Sequence, residues 1–279
     1  MNQQAVTLNE RILVSTLRGT EPEPATPRDT GAPAGAVAAV TGAAGGIGAA
    51  IAARLTADGY AVALLDISDA VHLTRDDIGA PLSARLDVTD REDVQHVLAE
   101  VIKATGRLDV LVNCAGTAHR SSFADTSAQE FLRDINTNLL GTFLTCQAAV
   151  FPHMRAAGRG RLINIASVSG KTGGIGSVHA DGSGGRSGAG YASAKAGVIN
   201  LTRWIAREVG HLGITSNAVA PGPIATAMTD GHHYDTANIP IGRLGTPEEV
   251  ADAVSWLAGR GAGYVNGIVL DVDGGLTRA

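Results

Sequence analysis

The amino-acid sequence predicts an α/β fold: a single doubly wound parallel sheet of about seven strands, flanked by helices on both faces. Short, continuously apolar segments recur along the chain, and longer segments of helical periodicity separate them. Strands that are covered by helices on both faces have this unbroken apolar character. A glycine-rich turn directly after the first apolar segment is typical of a tight connection from strand to helix.

Seven apolar segments are predicted strands, and four longer segments are predicted helices. The strands cover residues 36–40, 61–65, 82–86, 110–112, 161–165, 215–219 and 268–272. The helices cover residues 90–104, 128–154, 191–209 and 247–258. The last helix has a clear start, because Thr246 is a good N-cap, Pro247 suits the first turn and Glu249 can bond back to the cap.

Two segments fall outside this alternation. Residues 1–35 form an N-terminal extension, in which 8–17 have the pattern of a short amphipathic helix and 21–34 hold four prolines, as extended linkers do. We expect this extension to be partly disordered or to form an arm on a neighbouring subunit. Residues 170–190 are rich in glycine and have few apolar side chains. Because such a segment cannot pack a core, it is predicted to be a surface loop.

Composition and charge exclude several classes of protein. The net charge is −5 and there is no basic patch, so neither nucleic acid nor an anionic membrane is an expected partner. No apolar segment reaches the roughly 18 residues that span a bilayer, and the first residues do not resemble a secretory signal. The two cysteines, Cys114 and Cys146, lack metal-site spacing and are expected to be reduced core thiols. We expect a soluble cytoplasmic protein.

The glycine-rich turn at 41–48 (TGAAGGIG) and the acid that ends the second strand suggest a ligand. Glycines allow close approach of a ligand, and the helix N-terminus beyond them offers free N–H groups to a pyrophosphate. A purely steric turn is the alternative. Asp66 stands where Rossmann-type folds place the acid that binds the adenosine ribose hydroxyls. Its carboxylate repels a 2′-phosphate and the turn has no basic residue, so NAD is predicted over NADP; the alternative is an aspartate that only caps a turn.

Tyr191 and Lys195 are four residues apart and therefore share one face of a predicted helix. A free tyrosine has a pKa near 10, roughly three units too high for efficient proton exchange at neutral pH. A neighbouring ammonium favours the phenolate and lowers that pKa. As an isolated pair, this spacing also occurs by chance on solvated helices.

Together these motifs resemble the short-chain dehydrogenase/reductase (SDR) family. The turn at 41–48, Asp66, residues 113–116 (NCAG), Asn138, Ser167 and the Tyr191/Lys195 pair occur in the order and register of that family. Residues 221–224 (PGPI) and 272–275 (VDGG) continue the match, which extends from about residue 36 to 276. The resemblance implies a dinucleotide-binding catalytic domain at 36–279. The sequence departs from the family pattern by a glycine-rich insertion at 171–190, which lies between Ser167 and Tyr191.

The resemblance implies an NAD(H)-dependent oxidoreductase that interconverts a secondary alcohol and a ketone (EC 1.1.1.-). Tyr191 is then the general acid/base, and Ser167 bonds to the substrate oxygen. Lys195 holds the nicotinamide ribose and lowers the pKa of the tyrosine. Asn138 anchors a water of a proton relay, although a buried asparagine that only satisfies the backbone is the alternative. Ser169 is a second candidate for the role of Ser167.

The resemblance also assigns ligand contacts, with Asp87 near the adenine, Ile224 and Thr226 near the carboxamide, and Asn113 either lining the adenosine side or stabilising the sheet. The full set of predicted cofactor-binding residues is Gly42, Gly45, Gly46, Ile47, Gly48, Asp66, Asp87, Val88, Asn113, Ala115, Gly116, Tyr191, Lys195, Pro221, Gly222, Ile224 and Thr226. The predicted substrate pocket contains Ala118, His119, Val168, Ser169, Gly190, Pro223 and Met228. No metal site is predicted, because the adjacent His232 and His233 have no further ligand at a recognisable spacing.

Two other functions compete with this one. A 3-oxoacyl thioester reductase has the same chemistry, but such relatives usually take NADP and carry a basic residue in the glycine turn. A catalytically silent NAD-binding regulator is the alternative from another class, and the complete set of Asn138, Ser167, Tyr191 and Lys195 argues against it. The resemblance further implies a homotetramer or homodimer that acts on a small-molecule alcohol or ketone.

The insertion is predicted to fold over or beside the substrate entrance, because it connects the segments that carry Ser167 and Tyr191. Deletion of residues 178–186 is then expected to change KM or the substrate preference. The measurement is steady-state kinetics over a panel of alcohols, compared with the intact chain. Unchanged kinetics across the panel would show that the insertion is a surface feature without a role in the reaction.

Overall fold

The computed structural model describes residues 32–174, 187–227, 229, 234 and 236–277. In this part of the chain seven strands form one sheet, in the order β3-β2-β1-β4-β5-β6-β7. All neighbouring strands are parallel. The strands are β1 (Val37–Thr41), β2 (Ala61–Asp66), β3 (Leu82–Arg85), β4 (Val110–Asn113), β5 (Gly160–Ile165), β6 (Ile214–Pro221) and β7 (Val269–Val272). The predicted Rossmann-type fold is confirmed.

Helices cover both faces of this sheet. The helices are α1 (Gly46–Ala57), α2 (Val71–Ile78), α3 (Arg91–Thr105), α4 (Ala128–Ile135), α5 (Gly141–Ala149), α6 (Arg155–Ala157), α7 (Ser169–Thr172), α8 (Ala189–Val209) and α9 (Pro247–Ala258). Short 3-10 turns lie at Gly210–Leu212, Thr236–Asn238 and Arg260–Ala262. No helix in the described ranges is long and apolar enough to cross a bilayer.

Successive residues of a strand point to opposite faces, so each strand contributes to two cores. On one face, Val40 of β1 packs in a cluster with side chains of α1 and α9. On the other face, Ala39 belongs to a cluster with side chains of α3, α5 and α8. Both residues are fully buried. This two-sided burial explains why the strands read as unbroken apolar segments.

The seven predicted strands agree with the structure to within two residues at each end. The predicted start of the last helix is also present, because Thr246 caps Glu249 and the Glu249 side chain bonds back to the cap. The helix α2 was not predicted, because most of its side chains are polar and only Val71 is buried.

Two predictions about local structure were wrong in part. The predicted helix 128–154 contains wide turns at Asn136–Leu140 and Val150–Met154, with non-helical backbone at Phe151. The predicted loop 170–190 is helical at both ends, because Ser169–Thr172 forms α7 and Ala189 begins α8. Gly190 is required inside α8, since a Cβ there would lie 2.9 Å from the Phe131 carbonyl oxygen. The N-terminal extension up to residue 31 and residues 175–186 of the insertion lie outside the described residues.

The order of the strands determines where the sheet leaves a crevice. The chain runs from β1 outward through β2 to β3, and then returns to β4 on the opposite side of β1. At such a switch point the connections diverge and leave a crevice outside the carboxyl ends of the strands. The turn at 41–48 and residues 113–116 both lie at this edge, because they follow β1 and β4.

Buried amides tie the central strands together below the crevice. Asn113 of β4 donates from Nδ2 to Asn164 Oδ1 of β5 at 2.9 Å, and Asn164 donates to Thr202 Oγ1 of α8 at 2.9 Å. Thr145 of α5 donates to Asn113 Oδ1 at 2.7 Å. These four side chains are at most 4 % exposed. Paired in this way, their polar atoms avoid the cost of burial without a partner.

Replacement of Asn164 by leucine is expected to lower the free energy of unfolding by about 1–3 kcal/mol, because the buried Asn113 and Thr202 side chains would lose their partner. The measurement is urea denaturation followed by circular dichroism. Asn136→Ala is the matched control, since Asn136 is exposed, and is expected to change stability by less than about 0.5 kcal/mol. Equal stability of N164L and the unaltered protein would contradict the role of this network.

Candidate active site

A cleft of about 520 Å³ opens along the carboxyl ends of the strands. It brings together most of the residues predicted from the sequence, although they come from distant parts of the chain. Predicted residues that line it are Gly42, Gly45, Gly46, Ile47, Gly48, Asp66, Asp87, Val88, Ala115, Gly116, Ala118, Asn138, Ser167, Val168, Ser169, Tyr191, Lys195, Pro221, Gly222, Pro223, Ile224 and Thr226. Asn113, His119 and Gly190 do not line it, and Met228, His232 and His233 lie outside the described residues.

The turn between β1 and α1 has the shape of a phosphate-binding loop. Gly42 has φ +69°, and a Cβ there would lie 2.7 Å from the Ala115 backbone. A Cβ on Gly48 would lie 2.0 Å from the Gly42 carbonyl oxygen, whereas Gly45 has open space around its Cα. No side chain caps the N-terminus of α1, and its first turn has no acid. The free N–H groups at this terminus therefore remain available to an anionic ligand that approaches closely.

Asp66 both closes the turn and faces the cleft. Its Oδ2 accepts from the Ala44 N–H at 3.0 Å, and its Oδ1 accepts from the Ser68 N–H at 2.9 Å. Each carboxylate oxygen can accept a second hydrogen bond, so ribose hydroxyls can still bind there. Asp87, beyond β3, accepts from the Thr89 N–H and hydroxyl at 2.9 and 2.7 Å.

A basic side chain near Asp66 escaped sequence analysis. Arg85 lies opposite Asp66 in the parallel register of β2 and β3. Its Nε donates to the Ile67 carbonyl oxygen at 3.1 Å, and Ile67 lines the cleft. Arg85 is 19 positions from Asp66 in the sequence and outside the glycine turn, so only strand pairing reveals the neighbourhood.

Ser167, Tyr191 and Lys195 meet in the middle of the cleft. Ser167 follows β5, and Tyr191 lies in the first turn of α8. Both side chains line the cleft, and Ser167 is close enough to influence the ionisation of the Tyr191 phenol. Lys195 lies one turn further along α8, with Nζ 5.6 Å from the centroid of the tyrosine ring. Its ammonium donates to the Ile165 carbonyl oxygen at 2.7 Å, which anchors the side chain on β5.

Burial controls the ionisation of Tyr191 and Lys195. It raises the pKa of Tyr191, although the hydrogen bond from Ser167 opposes that rise. Burial also lowers the pKa of Lys195 to about 8. The expected depression of the Tyr191 pKa by Lys195 is therefore absent from the protein alone, because removal of the phenolate from water outweighs the favourable interactions.

Asn138 satisfies the backbone and also borders the cleft, so the two interpretations of this residue are compatible. It is fully buried, and its Nδ2 donates to the carbonyl oxygens of Thr117 and Asp134 at 2.8 and 2.9 Å. Its Oδ1 has no donor among the described residues. A Cβ on Gly116 would lie 2.6 Å from this oxygen, so only glycine leaves room beside it.

The Ser169 and Asn113 side chains are engaged in other contacts. The Ser169 N–H donates to Ser167 Oγ at 3.1 Å, and Ser169 Oγ bonds to Ser187 Oγ at 2.9 Å. Ser169 thus supports Ser167 and contacts the end of the insertion. Asn113 uses its side chain within the amide network of the sheet, as the structural interpretation of this residue requires.

Sequence analysis missed an acid that organises one wall of the cleft. Asp134 of α4 is 1 % exposed, and its carboxylate accepts from Thr117 Oγ1 and bonds to His119 Nδ1, both at 2.8 Å. His119 is therefore turned toward Asp134 rather than into the cleft. The only local signal was a charged residue one helical turn before Asn138 on an otherwise buried face.

Sequence analysis also missed Arg120 and Tyr234, which both line the cleft. Arg120 follows β4 and Tyr234 follows β6, and the guanidinium donates to the phenol oxygen at 2.8 Å. They are 114 residues apart in the chain, so no local pattern relates them.

The residues present fit a nicotinamide dinucleotide. The uncapped helix N-terminus beside the open space at Gly45 suits the pyrophosphate, and Asp66 suits the adenosine ribose. The Tyr191–Ser167 pair beside Lys195 lies in the same cleft. A proton donor and acceptor thus shares a cleft with a dinucleotide cradle, which is the arrangement that hydride-transfer enzymes need.

Comparison with known proteins agrees with this geometry. Residues 42–277 match the family model described as enoyl-(acyl carrier protein) reductase. The chain is 41% identical over 241 residues to (3R)-3-hydroxyacyl-CoA dehydrogenase of Mus musculus, which covers 80% of this chain and 89% of the relative. It is 38% identical over 196 residues to 3-oxoacyl-[acyl-carrier-protein] reductase FabG of Thermotoga maritima, covering 68% and 75% of the two chains.

A solved structure shows the same fold. A short-chain type dehydrogenase/reductase from Mycobacterium marinum superposes with a TM-score of 0.80 and 32% sequence identity, over 88% of this chain and 96% of that one. The chain therefore belongs to the short-chain dehydrogenase/reductase family, and its hydroxyacyl and oxoacyl relatives place it among the oxidoreductases of that family that act on CH–OH groups with a nicotinamide dinucleotide, NAD(P).

Proposed function

We propose that this protein is an NAD(H)-dependent dehydrogenase that interconverts a secondary alcohol and a ketone, and that the alcohol is a 3-hydroxyacyl thioester. One observation carries the chemistry: Ser167, Tyr191 and Lys195 line the same cleft as the glycine turn, with the Lys195 ammonium 5.6 Å from the centroid of the Tyr191 ring. The substrate class is supported by the mouse and Thermotoga relatives, whose names specify a 3-hydroxyacyl and a 3-oxoacyl substrate.

The dinucleotide, when bound, supplies the hydride acceptor for oxidation or the hydride donor for reduction. The residues of this chain handle the proton and the charge. In the oxidation direction the Tyr191 phenolate accepts the proton of the substrate hydroxyl, and in reduction the phenol returns a proton to the oxygen. Ser167 donates a hydrogen bond to the same oxygen and stabilises the charge that develops on it.

Lys195 has two proposed tasks, which concern the ribose of the dinucleotide and the phenolate of Tyr191. One of its three N–H donors binds the Ile165 carbonyl oxygen, which leaves two for the ribose hydroxyls of the dinucleotide. Its charge favours the phenolate that oxidation requires, against the burial that raises the pKa of Tyr191 in the protein alone. Asn138, with its Nδ2 held by two carbonyl groups, presents Oδ1 as an acceptor for a proton relay beside Gly116.

The preference for NAD is argued from Asp66. A 2′-phosphate on the ribose would lie beside its carboxylate and be repelled. The opposing observation is Arg85, a cation that lies next to Asp66 in the sheet. Because Asp66 lines the cleft itself and Arg85 does not, we favour NAD.

Two alternatives remain distinct from this proposal. A 3-oxoacyl thioester reductase working with NADP would share every catalytic residue, and Arg85 is the feature that favours it. A silent NAD-binding regulator would not need Ser167, Tyr191 and Lys195 together in one cleft. We further propose that the protein is cytoplasmic. We also propose that it forms a homotetramer or homodimer, because Trp204 on α8 and Tyr264 before β7 are more than half exposed, at 58% and 103%, and such side chains suit a subunit interface.

Replacement of Tyr191 by phenylalanine is expected to lower kcat at least about 100-fold, because the proton donor and acceptor is lost. The measurement is NADH formation from NAD+ with a panel of 3-hydroxyacyl thioesters and simple secondary alcohols. Tyr60→Phe is the matched control, since the Tyr60 hydroxyl bonds to the Ala258 carbonyl oxygen away from the cleft. Turnover of secondary alcohols but of no thioester would contradict the substrate class, and equal turnover by Y191F would contradict the mechanism.

Replacement of Asp66 by serine is expected to shift the ratio of kcat/KM for NAD+ over NADP+ toward NADP+ by about 10-fold or more, because the repelling carboxylate is removed. The ratio is measured with one substrate at saturation. Arg85→Gln is the companion variant, and it is expected to leave the NAD+ preference in place. A preference of the unaltered protein for NADP+ that R85Q abolishes would instead support the NADP-linked reductase.

A further inference from the structure

Arg120 and Tyr234 form a polar pair between two segments of the cleft wall. An Arg120 guanidinium nitrogen donates to the Tyr234 hydroxyl oxygen at 2.8 Å, and the guanidinium carbon lies 5.9 Å from the ring centroid. Arg120 belongs to the segment between β4 and α4, and Tyr234 to the segment after β6. Both line the cleft that contains Tyr191.

Four charged residues line the described part of the cleft: Asp66, Asp87, Arg120 and Lys195. Arg120 differs from the other three in its position. Asp66 ends β2 and Asp87 follows β3, on the side where the adenosine half of a dinucleotide binds. Lys195 is buried and bonded to the Ile165 carbonyl oxygen. Arg120 is thus a cation on the substrate side.

Arg120 also lies close to the helix that carries Tyr191: the carbonyl oxygen of the preceding residue, His119, accepts from the Gly188 N–H at 2.9 Å, and Gly188 is the N-cap of α8. The charge of Arg120 lowers the pKa of the Tyr191 phenol, whereas Tyr234 raises it, so both groups act on the phenol electrostatically. A ligand group that binds the guanidinium is therefore near the carbon that reacts.

We propose that Arg120 and Tyr234 bind a carboxylate that the substrate carries in its acyl chain, a few bonds from the carbon that is oxidised. This inference rests on the proposed function and narrows it to substrates that are acids as well as alcohols. A guanidinium presents paired N–H donors that match the two oxygens of a carboxylate. The Tyr234 hydroxyl accepts from Arg120, so its own proton is directed to another acceptor, which the carboxylate provides.

Phosphate is the other anion that a guanidinium binds well. A thioester carrier such as coenzyme A places its phosphates many bonds away from the thioester carbonyl. A cation that influences Tyr191 is better placed to bind a group on the acyl chain than to bind a phosphate of the carrier. The experiment separates these two sources by using thioesters of N-acetylcysteamine, which have no phosphate.

The test compares two 3-hydroxyacyl N-acetylcysteamine thioesters that differ only at the chain end, one a carboxylate and the other a carboxamide. The unaltered protein is expected to favour the carboxylate in kcat/KM by about 10- to 100-fold. Arg120→Gln is expected to abolish that ratio, Arg120→Lys to retain part of it, and Tyr234→Phe to lower it by a smaller factor. An effect of a variant that is equal for both substrates cancels in this ratio.

Arg133→Gln is the matched control, because Arg133 is an exposed arginine on α4 that does not line the described cleft. It is expected to leave the ratio unchanged. A ratio near one in the unaltered protein, or a ratio that R120Q retains, would overturn the proposal. If R120Q lowers kcat/KM for coenzyme A thioesters equally with carboxylate and carboxamide chain ends, and leaves the N-acetylcysteamine thioesters unaffected, Arg120 binds the phosphate and the proposal is overturned as well.

A binding measurement decides the inference if neither thioester is turned over, an outcome that would count against the proposed function. Calorimetric titration of the NADH-bound protein with glutarate is expected to show binding that is at least about 10-fold weaker in R120Q. Glutaramide, which has the same length and no charge, is expected not to bind. Equal affinity of the unaltered protein and R120Q for glutarate would overturn the proposal, and melting curves of each variant identify any that fails to fold.

Discussion

The close contact between the ends of β1 and β4 is the constraint on which the site depends. The Thr41 hydroxyl oxygen at the end of β1 accepts from the N–H groups of Cys114 and Ala115, at 3.1 and 3.2 Å. Gly42 follows in a left-handed conformation and packs directly against the Ala115 backbone. Because the two backbones meet here, the position of the glycine turn is fixed relative to the segment that follows β4.

Burial of ionisable groups is the second feature of the site. Lys195 and Tyr191 lie where water is scarce, so the fold opposes the charge of both side chains. Local partners offset this cost, with a backbone carbonyl for the ammonium and a serine hydroxyl for the phenol. In such surroundings each charge or dipole acts strongly on its neighbours, so the ligand that enters the cleft has a large influence on the protonation of Tyr191.

The wall of the cleft is held by polar contacts rather than by the core. The buried carboxylate of Asp134 binds Thr117 and His119, and the His119 carbonyl oxygen accepts from the Gly188 N–H at 2.9 Å. A Cβ on Gly188 would lie 2.3 Å from that oxygen. The wall after β4 is therefore coupled to the segment that begins α8, the helix that carries Tyr191.

The sequence by itself determined the fold class and the strands, and it predicted candidate residues for the reaction, because apolar strands, glycine turns and the Tyr191/Lys195 spacing are local patterns. It also placed Asn138, Ser167 and Asp66 through their order along the chain. Tertiary structure alone decided which residues stand beside them: Arg85 next to Asp66 through strand pairing, Asp134 under His119, and Arg120 against Tyr234. Except for Asp134 and His119, these pairs are remote along the chain or come from different strands. Their proximity is a property of the packed sheet and its loops, and a linear pattern carries no record of it.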